Sequence, residues 1–141
     1  MYLLDSNILI DFLRGKNKHA LQMLRASDAG MLKIPSIVKA ELLLGVEKSS
    51  DPGNNRLRVE LLLLPFETLP FDDRCALHYA RLRAYLESKG TGIGANDYII
   101  AACAMAYGAT LVTNNAAEFE RIPGLPGEQW AEVSFQQDFI D

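Results

Sequence analysis

Tyr2-Leu3-Leu4-Asp5-Ser6-Asn7-Ile8-Leu9-Ile10-Asp11-Phe12-Leu13 is the stretch that decides the fold. Its first three residues read as a short buried strand, and the polar step Asp5-Ser6-Asn7 turns the chain into a helix stopping at Gly15. Ser6 or Asn7 is the expected N-cap of that helix. A strand running directly into a helix is how a parallel crossover begins. The same alternation continues outward. Lys18 to Arg25 has helical spacing, and Met31 to Ile34 is a second strand. Pro35-Ser36 opens a helix that ends near Gly45 or Lys48, and Ser49 to Asn54 reads as a loop. Asn55 to Leu64 is a helix with Leu57, Leu61 and Leu64 on one stripe, stopped by Pro65. Phe66 to Leu69 is a possible short strand, and Asp72 caps a long helix reaching Lys89. Gly90-Thr91-Gly92-Ile93-Gly94 links to a helix from Asp97 to Tyr107, Gly108 fits its C-cap, and Thr110 to Val112 is an apolar strand. The expected class is α/β, with a central, mostly parallel sheet of about four or five short strands flanked by helices. The segment from Ala131 to Asp141 receives no element.

The length of 141 residues is that of one domain, 1–141, large enough to bury a core without disulfides. Met1 to Asp5 has no basic leader and meets an acid at once, which argues against a signal peptide. No uncharged apolar run approaches the ~20 residues of a membrane span. Cys75 and Cys103 lie in helical patterns without CxxC or histidine neighbours, so packed thiols in a cytoplasmic protein are expected. The net charge of −4 weighs against nucleic-acid binding, which favours basic chains. Two features offset it. Clustered acids inflate the negative count, and the bases gather in groups: Arg14, Lys16, Lys18 and His19, then Arg81, Arg83 and Lys89.

Four acids sit beside apolar sequence: Asp5 after Leu3-Leu4, Glu41 within Ile37 to Leu44, Asp97 before Ile99-Ile100, and Glu118 past Leu111-Val112-Thr113. Burying an ionised carboxylate costs several kcal/mol, roughly, unless it is paired or binds a metal. Each acid also has a plainer explanation. Asp5 and Asp97 could be helix caps, Glu41 could pair with a buried arginine, and Asn114-Asn115 before Glu118 could be only a turn. Asp11 reads as a surface acid paired with Arg14. Glu41 is expected to share a stripe with Ile37 and Leu44. Jointly, strand ends and one buried helix face would bring the acids to one rim of the sheet, where α/β proteins bind ligands. A divalent cation that makes their crowding tolerable points to phosphodiester chemistry.

Several segments together resemble the PIN-domain ribonucleases, specifically the VapC-type toxins of bacterial toxin–antitoxin pairs. They are Leu3-Leu4-Asp5-Ser6-Asn7, the helix from Pro35-Ser36 through Glu41 to Gly45, Gly94-Ala95-Asn96-Asp97, and Thr113-Asn114-Asn115-Ala116-Ala117-Glu118-Phe119. The likeness runs in order to about Trp130. It implies a PIN-like fold and a metal-dependent endoribonuclease whose principal acids are Asp5, Glu41 and Asp97. Asp5 and Asp97 would be the most direct ligands of Mg2+ or Mn2+, with Glu41 and Glu118 as further ligands. Many relatives carry aspartate where this chain has Asn115, and Glu118 would supply the missing charge. Ser6 and Thr113 fall where the family places a hydroxyl near the site. The resemblance further implies an RNA substrate, tRNA foremost, a small DNA-binding VapB-like antitoxin, a homodimer and no membrane. The alternative is a non-catalytic PIN-like module that binds RNA or protein.

Overall fold

The computed structural model describes residues 1–16 and 18–128. The expectation left open for the tail beyond Trp130 lies outside these residues. β1 (Tyr2–Leu4) passes into α1 (Ser6–Leu13), followed by α2 (Lys18–Ala26). A short 3-10 turn, Ala29–Met31, precedes β2 (Leu32–Pro35), so Met31 belongs to the turn rather than the strand. Asp28 causes this: its side chain accepts the Gly30 N–H at 2.9 Å and closes the turn before the strand starts. Then come α3 (Ser36–Glu47), α4 (Pro52–Leu63), β3 (Glu67–Leu69) and α5 (Asp73–Ser88). The chain continues through α6 (Ala95–Tyr107), β4 (Thr110–Val112), α7 (Ala116–Phe119) and β5 (Gly127–Glu128).

The strands form one five-stranded sheet in the order β3-β2-β1-β4-β5, and every pairing is parallel. β1 is central, with Leu3 opposite Leu111 and Leu4 opposite Val112. Leu3, Leu4, Leu111 and Val112 are all fully buried, as a sheet covered on both faces requires. The chain leaves β1 toward β2 on one side and returns as β4 on the other. That reversal opens a crevice at the carboxyl ends of β1 and β4, the usual ligand position in such sheets. α6 is the buried helix beside it, with Ile100, Ala101, Ala102, Cys103 and Ala104 in the core.

Two expectations change. The proposed loop from Ser49 to Asn54 ends at Asp51, because Asp51 caps α4 and Pro52 occupies its first turn. Pro is well suited there, since its missing N–H would have had no helical partner. The stripe Leu57, Leu61 and Leu64 faces solvent at 54, 61 and 80% exposure, while Val59 and Leu63 enter the core. α4 carries leucines on both faces, so periodicity alone could not choose between them; packing on α3 does. β5 was not anticipated, because its two residues follow a Pro/Gly-rich stretch without an apolar run. It is held by backbone bonds: Leu111 N–H to Pro126 O at 2.9 Å and Thr113 N–H to Glu128 O at 3.1 Å.

The inverted stripe has a direct test by chemical denaturation. Leu63→Ala should cost about 2–3 kcal/mol, whereas Leu61→Lys should stay within ~0.5 kcal/mol of the parent. The reverse ranking would place the other face of α4 in the core.

Candidate active site

Asp5 stands at the end of β1 and is only 3% exposed. One oxygen, Oδ1, accepts the Ser6 N–H at 2.7 Å and thereby caps α1. The expected caps, Ser6 and Asn7, are not used, because the helix starts one residue earlier than the polar run suggested. The other oxygen, Oδ2, accepts the Thr113 hydroxyl at 2.7 Å from the end of β4. Capping and site duty are therefore shared between the two oxygens of a single carboxylate. Thr113 is itself fixed, since its Oγ1 accepts the Asn115 N–H at 2.9 Å. Burial raises the Asp5 pKa, and the negative charge of Glu118 adds to that; hydrogen bonds from Thr113 and Ser6 oppose the rise.

Glu41 reaches the same crevice from the middle of α3. The buried stripe of that helix is Val38, Leu42 and Val46, and Leu44 is exposed, so Glu41 does not share a core stripe with Ile37 and Leu44. It sits at the edge of the buried stripe and is half-buried. No arginine pairs with it among the described residues. Its Oε1 is buried and has no hydrogen-bond partner. A buried acceptor without a protein donor is costly, and a cation or a water donor there would satisfy it. Burial and the nearby Asp5 charge raise the Glu41 pKa, while hydrogen bonds from Asn96 and Ser6 pull it down.

Asp97 is not the cap of α6. Gly94 occupies that position, without a side-chain cap bond, and Asp97 lies in the first turn. Its pKa rises to about 7, mainly through burial, then through a hydrogen bond to Glu118 and the charges of Asp5, Glu118 and Glu41. Glu118, on α7, moves the opposite way. The bond from Asp97 lowers its pKa most, helped by Asn115, Arg121 and the Gly94 N–H and opposed by burial. Asn115 Nδ2 donates to Glu118 Oε2 at 3.2 Å. The opposite shifts favour a proton between these two carboxyl groups below about pH 7, with Asp97 the group inclined to hold it. Two acids placed this close cannot both ionise cheaply.

The fold therefore gathers Asp5, Glu41, Asp97 and Glu118 with Ser6, Thr113 and Asn115, all singled out from sequence. Sequence reading missed Asn96, which faces Glu41, and the partner of Asn114, whose Nδ2 donates to Asp11 Oδ2 at 2.9 Å. Asp11 thus bonds an amide from the far side of the crevice, and no ion pair joins it to Arg14 among the described residues. For Asn96, its place in the first turn of α6 one residue before Asp97 was the only available signal. Among the described residues, no three His, Cys, Asp or Glu side chains converge tightly enough to cage an ion as they stand. The donors are nonetheless hard oxygens with surplus negative charge, the chemistry that suits magnesium or manganese. Beside Glu41, α1, α3 and α4 enclose a groove of about 240 Å³, with Arg14 and Arg58 at its polar rim.

The PIN-domain family model matches residues 2–125. The chain is 41% identical over 136 residues to Ribonuclease VapC2 of Rickettsia felis, spanning 92% of this chain and 98% of that protein. It is 39% identical over 129 residues to the tRNA(fMet)-specific endonuclease VapC of Salmonella typhimurium, spanning 92% and 97%. The crystal structure of VapBC2 from Rickettsia felis, bound to a DNA fragment from its promoter, contains a similar fold. Its TM-score is 0.84 at 38% identity, covering 92% of this chain and 98% of that one. This chain belongs to the PIN-domain family.

The shared proton makes stability depend on pH. An ordinary aspartate titrates at 3.8, and Asp97 in the folded chain at about 7. Between those values the unfolded chain releases a proton that the folded chain keeps, so stability falls as pH rises and levels off above about 7. The raised values of Asp5 and Glu41 act in the same direction. Glu118, shifted below its ordinary 4.5, is ionised in both states over this window and adds no slope. The Tm of chelator-treated protein should decline from about pH 5.5 to about pH 8. Asp97→Asn, which keeps a donor to Glu118 without the charge, should flatten that decline. A parent Tm that rises over the interval contradicts the shared proton.

Proposed function

We propose that this protein is a metal-dependent endoribonuclease, the RNA-cutting toxin of a toxin–antitoxin pair, with tRNA as its substrate class. The observation that carries this reading is the convergence of one buried acid, Asp5, and three half-buried ones, Glu41, Asp97 and Glu118, at the carboxyl ends of β1 and β4. None of the four acids is in an ion pair among the described residues, so neutral donors do most to offset their charge. The unpartnered Oε1 of Glu41 indicates the same deficit. Relatives named as ribonucleases and as a tRNA endonuclease support the activity and the substrate class.

Asp5 and Asp97 are the direct ligands in this reading, with Glu41 and Glu118 completing the oxygen set. When bound, Mg2+ or Mn2+ supplies Lewis-acid activation of water and neutralises charge at the scissile phosphate. The chain's own part is positioning. The Ser6 N–H and the Thr113 hydroxyl fix both oxygens of Asp5, so its orientation is set before any ligand arrives. Asp97 gives up the proton it shares with Glu118, freeing both carboxylates. Glu41, with Oε1 uncommitted, orients the attacking water and accepts its proton. Asn115 holds Glu118 in place through Nδ2. Arg14 and Arg58, at the rim of the groove beside Glu41, offset repulsion between the acids and the RNA backbone. A net negative chain can thus still draw RNA to its crevice.

The partner is a small VapB-like antitoxin that binds DNA, and the toxin works as a homodimer. The promoter-bound VapBC2 assembly of the Rickettsia felis relative supports the antitoxin and its DNA binding. No helix among the described residues is long and apolar enough to cross a membrane.

Purified protein freed of antitoxin should cleave RNA only with added Mg2+ or Mn2+. Asp5→Asn and Asp97→Asn should each reduce cleavage by at least about 100-fold while retaining the parental far-UV circular dichroism. Activity within a few-fold of the parent in either variant, or cleavage that survives chelation, would contradict the assignment.

A further inference from the structure

The loop between α5 and α6 runs immediately before the helix that carries Asp97, and side chains hold it from two directions. On the inner side, the Tyr98 hydroxyl accepts the Ile93 N–H at 3.2 Å; Tyr98 is only 1% exposed. On the outer side, Arg121 Nη1 donates to Gly92 O at 3.1 Å. The Gly94 N–H meanwhile faces the Glu118 carboxylate and favours its ionised form. The ends of the loop return to the helices, with Thr91 N–H bonded to Leu86 O and Gly94 O accepting the Tyr98 N–H. Between those ends, the Tyr98 and Arg121 contacts hold its course.

Two glycines permit this proximity. A Cβ at Gly92 would lie 3.2 Å from Tyr98 Oη, and one at Gly94 would lie 3.3 Å from Asp97 Oδ2. Both distances are tighter than ordinary van der Waals contact. Neither residue has positive φ, unlike Gly90 at +69°, so limited space rather than backbone conformation favours glycine at these two positions. The loop is drawn against Asp97 of the site and against its neighbour Tyr98.

Glu118 and Arg121 lie three residues apart, and both reach the loop, at Gly94 and Gly92 respectively. Glu118 also meets Asp97. One contact surface therefore sets both the position of the loop and the separation of two acids. We propose that Arg121 and Tyr98 are positioning residues: Tyr98 holds the Gly92–Gly94 segment to α6 and Arg121 ties it to the chain that follows α7, and together they hold Asp97 and Glu118 at their working separation. The catalytic consequence rests on the nuclease reading above; the latch itself does not.

Arg121→Ala, Arg121→Lys and Tyr98→Phe in the full chain test this, with three readouts. Calorimetric titration with Mn2+ alone, without RNA, should show affinity weakened by about 10-fold in Arg121→Ala and Tyr98→Phe. With RNA, kcat should fall by a similar factor while KM stays near the parent, and Arg121→Lys should recover most of kcat because an ammonium can still donate to Gly92 O. In the metal-free protein, amide exchange at Ile93 and Gly94 should accelerate in Arg121→Ala. Should Tyr98→Phe fold poorly, the two Arg121 variants carry the test. A raised KM with unchanged kcat in Arg121→Ala would make Arg121 an RNA contact and overturn the proposal. Unchanged exchange at Ile93 and Gly94 would overturn it as well. A parent protein that neither binds Mn2+ nor cuts RNA would refute the nuclease reading instead, and the exchange measurement would still decide the latch.

Discussion

Crowding of like charge at the carboxyl ends of β1 and β4 is the constraint around which the rest of the structure is arranged. Four carboxyl groups arrive there from four elements: a strand end, the middle of α3, the first turn of α6 and the short helix α7. Burial and proximity raise the pKa values of Asp5, Glu41 and Asp97, while the hydrogen bond from Asp97 lowers that of Glu118. The fold answers with donors aimed at individual oxygens. Ser6 and Thr113 serve Asp5, Asn115 and the Gly94 N–H serve Glu118, and Asp97 keeps a proton to share. Glu41 is left with one bare oxygen. The arrangement is compensated but not closed, in keeping with the cation proposed for it.

Placement of the acids follows from the sheet. Because β1 is central and β4 is its direct neighbour, the residues just beyond them, Asp5 and Thr113, meet across one crevice at 2.7 Å although 108 positions separate them. The parallel arrangement forces each strand to exit toward the same end, and the reversal of direction at β1 opens the gap between flanking helices. α3 and α6 then need only present one polar residue each on otherwise apolar surfaces. The helices are core elements first, and Glu41 and Asp97 are the exceptions that their burial makes conspicuous.

That same contrast is why the site was readable from the chain. An acid amid apolar neighbours is visible without coordinates, so Asp5, Glu41, Asp97 and Glu118 all stood out, together with the alternation that gives a parallel sheet. What stayed hidden depended on packing or on distant backbone. The two leucine faces of α4 are equivalent in periodicity, and only contact with α3 selects Val59 and Leu63. β5 is a strand because Leu111 and Thr113 offer it partners, not because of its own residues. Asp97 looked like a cap, but Gly94 takes that place and leaves the carboxyl free to meet Glu118. Arg121 and Tyr98 carry no sequence pattern that ties them to Gly92 and Ile93.

The proton held by Asp97 and the proposed cation compete for the same oxygens, and this exchange is the most direct point of attack. Mn2+ can be titrated into the chelator-treated protein by calorimetry in two buffers of different ionisation enthalpy. At about pH 6, binding should release roughly one proton per ion, and by about pH 8.5 the release should nearly vanish. Mn2+ binding at pH 6 with no proton released, or the absence of binding at either pH, would contradict the account.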